Sequence, residues 1–308
     1  MLSPFIENRA DPMIIRGEDG LYRFVASVPE FDRIELRQSA TLHGLRDAKP
    51  RVIWRRHESG EMSSNIWAPE IHRVFGSWYV YFAAASSGAD KSGIYDHRTY
   101  ALKCEGDDPM TAEFTEAGRI DTGWSSFTLD STTFELNKKR YFVWAQRDYS
   151  IAGNSNLYIA EMLSPTKLRL PAAMLSRPEY DWECQGFLVN EGPFVLRHAG
   201  KLFLTYSGSA TDERYAIGML AMDESSDPLL PASWTKSAKP VMVTEAENGL
   251  FGPGHNCFTK DESGNDILVF HARPYAGFHG SALSDPNRHT YLREVKYDES
   301  GLPIFQSR

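Results

Sequence analysis

The chain has 308 residues, of which 42% are hydrophobic and 12% aromatic, so it can bury a sizeable core and is not a disordered chain. Its formal net charge of −8, with no cluster of lysine and arginine, argues against a nucleic-acid groove, which needs basic side chains to displace counterions from phosphates. The longest apolar runs, such as Trp78 to Ala85, are far too short to span a bilayer. We therefore expect neither nucleic acid nor a membrane as a partner, and the oligomeric state stays open.

The N-terminal residues and the cysteines bear on the cellular compartment. Residues 1–10 contain no apolar stretch and no A-x-A-like cleavage site, and a candidate site residue already stands at position 11. We therefore expect a cytoplasmic protein, with a trimmed secreted form as the alternative. Cys104, Cys184 and Cys257 are odd in number and far apart, which indicates structural thiols rather than a disulfide framework or a zinc site.

Five segments of the chain share one pattern, in which a polar residue opens a strand, a turn follows, and a second strand is rich in aromatic and β-branched residues. The pattern returns at intervals of about 60 residues, and its opening residues are Asp11, Glu70, Asp130, Glu191 and His255. Helical periodicity is scarce. Many short strands with a long regular period predict an all-β fold, a five-bladed β-propeller, in which residues 1–308 form a single catalytic domain. A β-sandwich or an irregular barrel is the alternative, but neither explains the regular return of the pattern.

The five opening residues lie close to one another in the fold if each one starts the innermost strand of its blade. All five side chains then point toward one axis. Carboxylates that converge on a channel are costly unless a ligand, a proton or an ion compensates their charges. The convergence therefore predicts a functional site at the centre of the propeller.

Around these positions the sequence resembles glycoside hydrolase family 43, especially its α-L-arabinofuranosidase branch. The resemblance covers nearly the whole chain and depends on motifs at Ala10-Asp11-Pro12, Asn65-Ile-Trp-Ala-Pro-Glu70, Leu129-Asp130-Ser-Thr-Thr-Phe134 and Asn190-Glu-Gly-Pro193, with weaker support from Gly254-His255-Asn256 and Arg293. It implies an inverting enzyme that releases terminal α-L-arabinofuranosyl residues from arabinan, arabinoxylan or derived oligosaccharides. The β-xylosidase and endo-arabinanase activities of the family use the same three carboxylates, so both stay open as alternatives.

The resemblance also implies a role for each opening residue. Asp11 is the general base, Glu191 the general acid, and Asp130 the residue that orients the acid and raises its pKa. This division is chemically sound, because an inverting glycosidase needs one protonated and one ionised carboxyl group, and a third carboxylate disfavours ionisation of the acid. Glu70 has a structural role in the family. His255 corresponds to a channel histidine that holds a metal, often calcium, through water; a channel histidine without an ion is the alternative, and no organic cofactor is implied.

Substrate contacts are predicted from side chains near the motifs. Trp67 and Phe127 each stand three residues before an opening carboxylate and are candidate platforms for a sugar ring. Arg293 is a candidate donor to sugar hydroxyls, with a salt bridge as the alternative. The stretches 30–49 and 275–289 are long enough to form the rim of a pocket.

Two rival functions use the same predicted fold. Retaining β-fructosidases are also five-bladed propellers, and Arg147-Asp148 and Glu183-Cys184 resemble two of their motifs. The resemblance fails because Tyr149 replaces the expected proline, and because Asp148 and Glu183 stand off the repeat positions. A non-catalytic carbohydrate-binding propeller is expected to lose at least one of the three carboxylates, and none is lost.

Overall fold

The computed structural model of the protein describes residues 2–86 and 94–306, and this part of the chain is built from five sheets around a central axis. The first sheet contains β1 (Ala10–Arg16), β2 (Tyr22–Ser27), β3 (Arg33–Ser39) and β4 (Arg51–Arg55). The second contains β5 (Ser64–Val74), β6 (Ser77–Ala85), β7 (Arg98–Cys104) and β8 (Phe114–Arg119). The third contains β9 (Thr128–Leu136), β10 (Lys139–Gln146), β11 (Asn156–Ser164) and β12 (Lys167–Ser176).

The last two sheets complete the ring. The fourth contains β13 (Asn190–His198), β14 (Lys201–Gly208), β15 (Ala216–Asp223) and β16 (Thr235–Lys236). The fifth contains β17 (Phe251–Lys260), β18 (Asp266–Arg273) and β19 (His289–Glu294), and β20 (Lys296–Tyr297) pairs with β21 (Pro303–Ile304) in a short ribbon. Single 3₁₀ turns lie at His43–Leu45, Asp181–Glu183, Pro231–Ser233 and Ala246–Asn248. The predicted five-bladed β-propeller is confirmed. No helix among these residues is long and apolar enough to cross a membrane.

Each blade is an antiparallel meander, and two-residue turns fix the register of the inner hairpin in the second, third and fourth blades. In the third blade, Leu136 pairs with Lys139, so only Asn137 and Lys138 form the turn. Both have positive φ, 51° and 63°, as a two-residue turn of type I′ requires. This turn matches the right-handed twist of the strands, so β9 and β10 stay paired up to the turn.

The hydrophobic core lies between neighbouring blades rather than at the axis. Phe142 and Trp144 of β10 are fully buried, and Phe142 packs edge-on against Tyr81 of the second blade at 5.2 Å between ring centroids. Each such aromatic ring contributes about 1.5–3 kcal/mol by burial alone. The blades are therefore held face to face by aromatic layers, and the axis is left free for polar groups.

The N-terminal segment is attached to the fifth blade by hydrogen bonds at the start of β19. The backbone N–H of Phe5 donates to Thr290 O at 2.8 Å, and the N–H of Thr290 donates to Ile6 O at 2.9 Å. The N–H of Asn8 donates to Nδ1 of His289 at 2.9 Å. The N-terminal segment thus joins the start of β19 through a single antiparallel bridge between Ile6 and Thr290.

Candidate active site

A pocket of about 360 Å³ opens at the axis of the propeller, where four of the five opening residues meet. The opening residues lie on the innermost strands β1, β5, β9, β13 and β17, as the repeat predicts. Asp11, Asp130, Glu191 and His255 line the pocket. Glu70 is buried outside the lining and accepts a hydrogen bond at 2.7 Å from Nε2 of His72, in keeping with a structural role.

Bulges in the inner strands turn these side chains toward the pocket. Ser131 pairs with Trp144 and Leu129 pairs with Ala145, so Asp130 is an extra residue that has no partner across the ladder. Asp130 has φ 46°, and Asp11 and His255 also have positive φ, 52° and 41°. Non-glycine residues adopt this left-handed region at a cost of roughly 1–3 kcal/mol, and such residues cluster at functional sites.

Asp11 is surrounded by hydrogen-bond donors and positive charge. Its Oδ2 accepts a hydrogen bond from Ser27 Oγ at 2.6 Å, and its Oδ1 lies 3.4 Å from Nη1 of Arg288. Its backbone N–H donates to Nδ1 of His271 at 3.0 Å, which fixes the proton of that ring on Nε2. Burial alone would raise the pKa of Asp11, but Arg288, His255 and His271 outweigh it and hold the pKa far below its ordinary value. Asp11 is therefore a carboxylate throughout the neutral range.

The pKa of Glu191 is shifted in the opposite direction to that of Asp11. Burial, and after it the charge of Asp11, raise its pKa to about 7, although the Tyr215 hydrogen bond and Arg288 act to lower it. The Tyr215 hydroxyl donates to Glu191 Oε1 at 2.9 Å. A substantial fraction of Glu191 is therefore protonated at neutral pH, and the group can give a proton to a bound ligand.

Asp130 links the two sides of the site. Its Oδ2 accepts a hydrogen bond from the backbone N–H of Gly192 at 3.0 Å and lies 3.4 Å from Nδ1 of His255. Burial raises the pKa of Asp130, and the charges of Glu191 and Asp11 raise it further. Since Asp130 and Glu191 repel each other when both are ionised, one of the two carboxyl groups holds a proton.

His255 faces two carboxylates and is neutral. Its Nδ1 lies 3.5 Å from Asp11 Oδ1, and its backbone N–H donates to Ser207 Oγ at 2.8 Å. Burial lowers the pKa of His255 below its ordinary value, against the opposing effect of Asp11. Within residues 2–86 and 94–306, no group of three His, Cys, Asp or Glu side chains is arranged to hold a metal ion. The side chains described thus supply no direct ligand set for calcium, and a water-held calcium at His255 stays a prediction.

Aromatic side chains form one wall of the pocket. Trp67 and Phe127 both line it, as the sequence predicts. Trp67 stacks on His97 with 4.0 Å between ring centroids and 21° between planes, and Phe127 packs edge-on against the same ring at 5.7 Å. Burial lowers the pKa of His97 to about 4, so the ring is a neutral support for both.

Arg293 does not line the pocket, so the structure contradicts its predicted role in substrate binding. It forms a salt bridge instead, which was the alternative. Its guanidinium donates to both carboxylate oxygens of Glu245, at 2.6 and 2.9 Å, and to Phe305 O at 2.7 Å. Arg293 belongs to β19, the third strand from the axis, so this salt bridge stabilises the outer part of the fifth blade. The arginine that lines the pocket is Arg288.

The rim of the pocket comes from one of the two predicted stretches. Phe278, Leu283 and Arg288 of the stretch 275–289 line the pocket, whereas no residue of the stretch 30–49 does so. Sequence reasoning missed Arg288 and also Tyr215. Both immediately precede a strand, β19 and β15, and that position was an available signal.

The residues of the rival fructosidase hypothesis lie outside the pocket lining. Asp148 follows β10 and accepts hydrogen bonds from the backbone N–H and the hydroxyl of Ser150. Glu183 is completely buried and forms an ion pair with Lys236. Neither carboxylate can reach a ligand that is bound among Asp11, Asp130 and Glu191.

Comparison with known proteins agrees with this geometry. The profile of "Glycosyl hydrolases family 43" matches residues 1–303. The chain belongs to this family. A crystal structure of an α-L-arabinofuranosidase from Lactobacillus brevis superposes with a TM-score of 0.96 at 50% identity, over 99% of this chain and 96% of that one. The substrate class of the family is carbohydrate, in agreement with the prediction of an oligosaccharide or polysaccharide partner.

Two curated relatives from Streptomyces are named extracellular exo-α-(1→5)-L-arabinofuranosidases. The relative from S. avermitilis is 48% identical over 98% of this chain, and the relative from S. chartreusis is 46% identical over 89%. The chain spans 62% of the first of these relatives and 82% of the second. The prediction of a cytoplasmic protein is wrong, because both names place these relatives outside the cell. A removable export signal leaves no trace in a folded domain, so the residues of the propeller could not reveal the compartment.

Proposed function

We propose that this chain hydrolyses terminal α-L-arabinofuranosides of arabinan, arabinoxylan or derived oligosaccharides, with inversion at the anomeric carbon. The proposal depends mainly on one observation: the pKa values of two carboxyl groups in the same pocket are shifted in opposite directions. The pKa of Asp11 is held far below its ordinary value, whereas the pKa of Glu191 is raised to about 7. An ionised base and a protonated acid are the two groups that inverting hydrolysis needs.

The proposed mechanism assigns one proton movement to each group. Asp11 removes a proton from a water molecule while the water oxygen attacks the anomeric carbon. Glu191 gives its proton to the glycosidic oxygen as the bond between that oxygen and the anomeric carbon breaks. Since water enters opposite to the leaving group, the configuration inverts. Asp130 accepts a hydrogen bond from the backbone N–H of Gly192, next to the acid, and Asp130 and Glu191 disfavour ionisation of one another.

The sugar specificity rests on the pocket and on the relatives. A volume of about 360 Å³ is near the lower end of the roughly 300–1,000 Å³ typical of ligand pockets, and it suits a chain end better than a long chain. The Lactobacillus brevis structure and both Streptomyces relatives are named for arabinofuranosidase activity. The Streptomyces names also support action outside the cell.

One comparison of substrates tests the proposal. Release of 4-nitrophenol from the α-L-arabinofuranoside is measured against release from the β-D-xyloside, and linear arabinan is analysed for its first products. We expect arabinofuranoside hydrolysis and single arabinose units from the chain ends. Activity on the xyloside alone would overturn the proposed sugar, and early release of oligosaccharides would overturn exo action.

A further inference from the structure

Glu183 is a completely buried carboxylate that lies outside the pocket, in the connection between β12 and β13. Its Oε2 accepts hydrogen bonds from the backbone N–H groups of Glu179 and Tyr180, both at 2.9 Å. Its Oε1 accepts a hydrogen bond from the Tyr206 hydroxyl at 2.8 Å and lies 2.8 Å from Nζ of Lys236. A buried charge with this many donors is fixed in position, because each bond would have to break for it to move.

A further donor to Glu183 stands directly before the proposed acid. Asn190 Nδ2 donates to Glu183 Oε1 at 2.9 Å, and Asn190 Oδ1 accepts a hydrogen bond from Ser176 Oγ at 2.6 Å. The backbone N–H of Asn190 donates to Ser155 O at 3.0 Å, and the side chain is completely buried. Both ends of the Asn190 amide are thus occupied, and its backbone cannot shift without loss of these bonds.

The residue after the acid is held as well. Gly192 donates its N–H to Asp130, has φ 56°, and would bring a Cβ atom within 3.2 Å of His255. Glu191 therefore stands between two anchored neighbours. Gly192, which follows it, is held by the pocket residue Asp130, and Asn190, which precedes it, is held by Glu183.

We propose that Glu183 is a positioning residue for Glu191, which acts through Asn190 to hold the acid in place for proton transfer. This inference rests on the proposed function. Proton transfer requires a heavy-atom distance of about 2.6–3.2 Å to the leaving oxygen, so a small backbone shift at Asn190 takes the acid out of reach. Asp11 and its water stay in place, because no bond of this network reaches them.

Two variants break the link, Glu183→Gln and Asn190→Ala. They are compared on α-L-arabinofuranosides with a poor leaving group (methanol) and a good one (2,4-dinitrophenol). A displaced acid should lower kcat on the poor substrate at least about tenfold and leave kcat on the good one within about threefold, because only the poor leaving group needs the proton. A merely structural role would lower the activity on both substrates by the same factor.

Glu245→Gln is the matched control. Glu245 is also a buried glutamate with a cationic partner, Arg293, and it lies outside the pocket lining. Its replacement should lower stability without changing the ratio of the two kcat values. Equal losses on both substrates, or an unchanged ratio in Asn190→Ala, would overturn the inference, and Asn190→Ala alone decides if Glu183→Gln does not fold. A wild-type protein inert on both arabinofuranosides would instead overturn the proposed function.

Discussion

Tyr215 donates a hydrogen bond from its hydroxyl to Oε1 of Glu191 across 2.9 Å, from the end of the blade that carries Glu191 itself. The bond favours the ionised form of Glu191, so it acts against the burial that raises the pKa of this group. Tyr215 therefore limits how far the acid is kept protonated, and it also fixes the direction of the carboxyl group.

Replacement of Tyr215 by Phe should move the alkaline limb of the pH–rate profile upward. Burial raises the pKa of Glu191 and the hydrogen bond lowers it. Without the hydrogen bond, the pKa of Glu191 should therefore rise above its value of about 7. We expect kcat/KM to fall about tenfold at its optimum, since the acid is less well oriented, while the alkaline limb moves to higher pH. A profile of kcat/KM from pH 4 to 10 checks this. An alkaline limb that moves to lower pH would contradict the assignment of Glu191 as the acid.

Variants of Asp11 and Glu191, the two carboxyl groups proposed for catalysis, should differ in their response to the leaving group. Glu191→Ala should lower kcat on poor leaving groups by about 10²–10⁴ and much less on dinitrophenolates, because general acid catalysis is worth that much only where a proton is needed. Asp11→Ala should lower the rates on all substrates alike, because each one needs the activated water. Proton NMR of the first product should show the inverted anomer, and a retained anomer would contradict the mechanism.

The stability of the protein should depend on pH through Glu191. Its pKa is higher in the folded protein, about 7, than the ordinary 4.5, so the folded state binds more protons and loses stability as the pH rises from about 4.5 to 7. Glu191→Gln removes this loss, and its free energy of unfolding at pH 8 should exceed that of the wild type by about 3 kcal/mol. Urea unfolding at pH 4 and pH 8 measures the difference. Glu299→Gln, a replacement in an exposed turn, keeps Glu191 and should therefore lose stability between pH 4 and pH 8 as the wild type does.

Replacement of Arg288 should affect mainly activity, whereas replacement of Arg293 should affect mainly stability. Arg288→Ala should lower kcat/KM by about 100-fold or more, because the pocket loses the guanidinium that lies 3.4 Å from Asp11 Oδ1 and orients that carboxylate. Arg293→Ala should leave kcat/KM nearly unchanged but lower the free energy of unfolding by about 3 kcal/mol, because the buried Glu245 loses the guanidinium that donates to both of its oxygens. Steady-state kinetics and urea unfolding of both variants test the pair. A large rise in KM in Arg293→Ala would restore this residue to substrate binding.

The proposed calcium ion should be detectable by chelation. If His255 holds calcium through water, a chelator should lower the melting temperature of the wild type, and added calcium should restore it. His255→Ala should abolish the response. An unchanged melting temperature in the chelator would leave His255 as a neutral partner of Asp11 and Asp130 only.

The inner strands could be predicted from the sequence because their signal is local. A polar residue at a strand start, followed by a turn and an aromatic strand, returns once per blade, and this located Asp11, Asp130, Glu191 and His255. The surroundings of these residues could not be predicted in the same way. Arg288 meets Asp11 across 277 residues of sequence and His271 meets it across 260, and only closure of the ring creates both contacts.

The error at Arg293 has a similar cause. A motif near the fifth repeat placed the residue in the correct blade, but distance from the axis depends on which strand of the blade carries it. Residues of β17 reach the pocket, whereas Arg293 on β19 reaches Glu245. Position along the repeat thus predicts the blade, but not how far a side chain lies from the pocket: Arg288, directly before β19, lines the pocket, whereas Arg293, farther along the same strand, does not.

The pairing of Phe5 and Ile6 with Thr290 has a consequence for biosynthesis. At a translation rate of roughly 5–20 residues per second, the first partner waits about 15–60 s on the ribosome before the second is made. During that time the apolar side chains of Phe5 and Ile6, which are buried in the folded protein, have no partner to pack against. Two nascent chains on one polysome can exchange these segments, so linked dimers are the misassembled product that we expect when expression is fast.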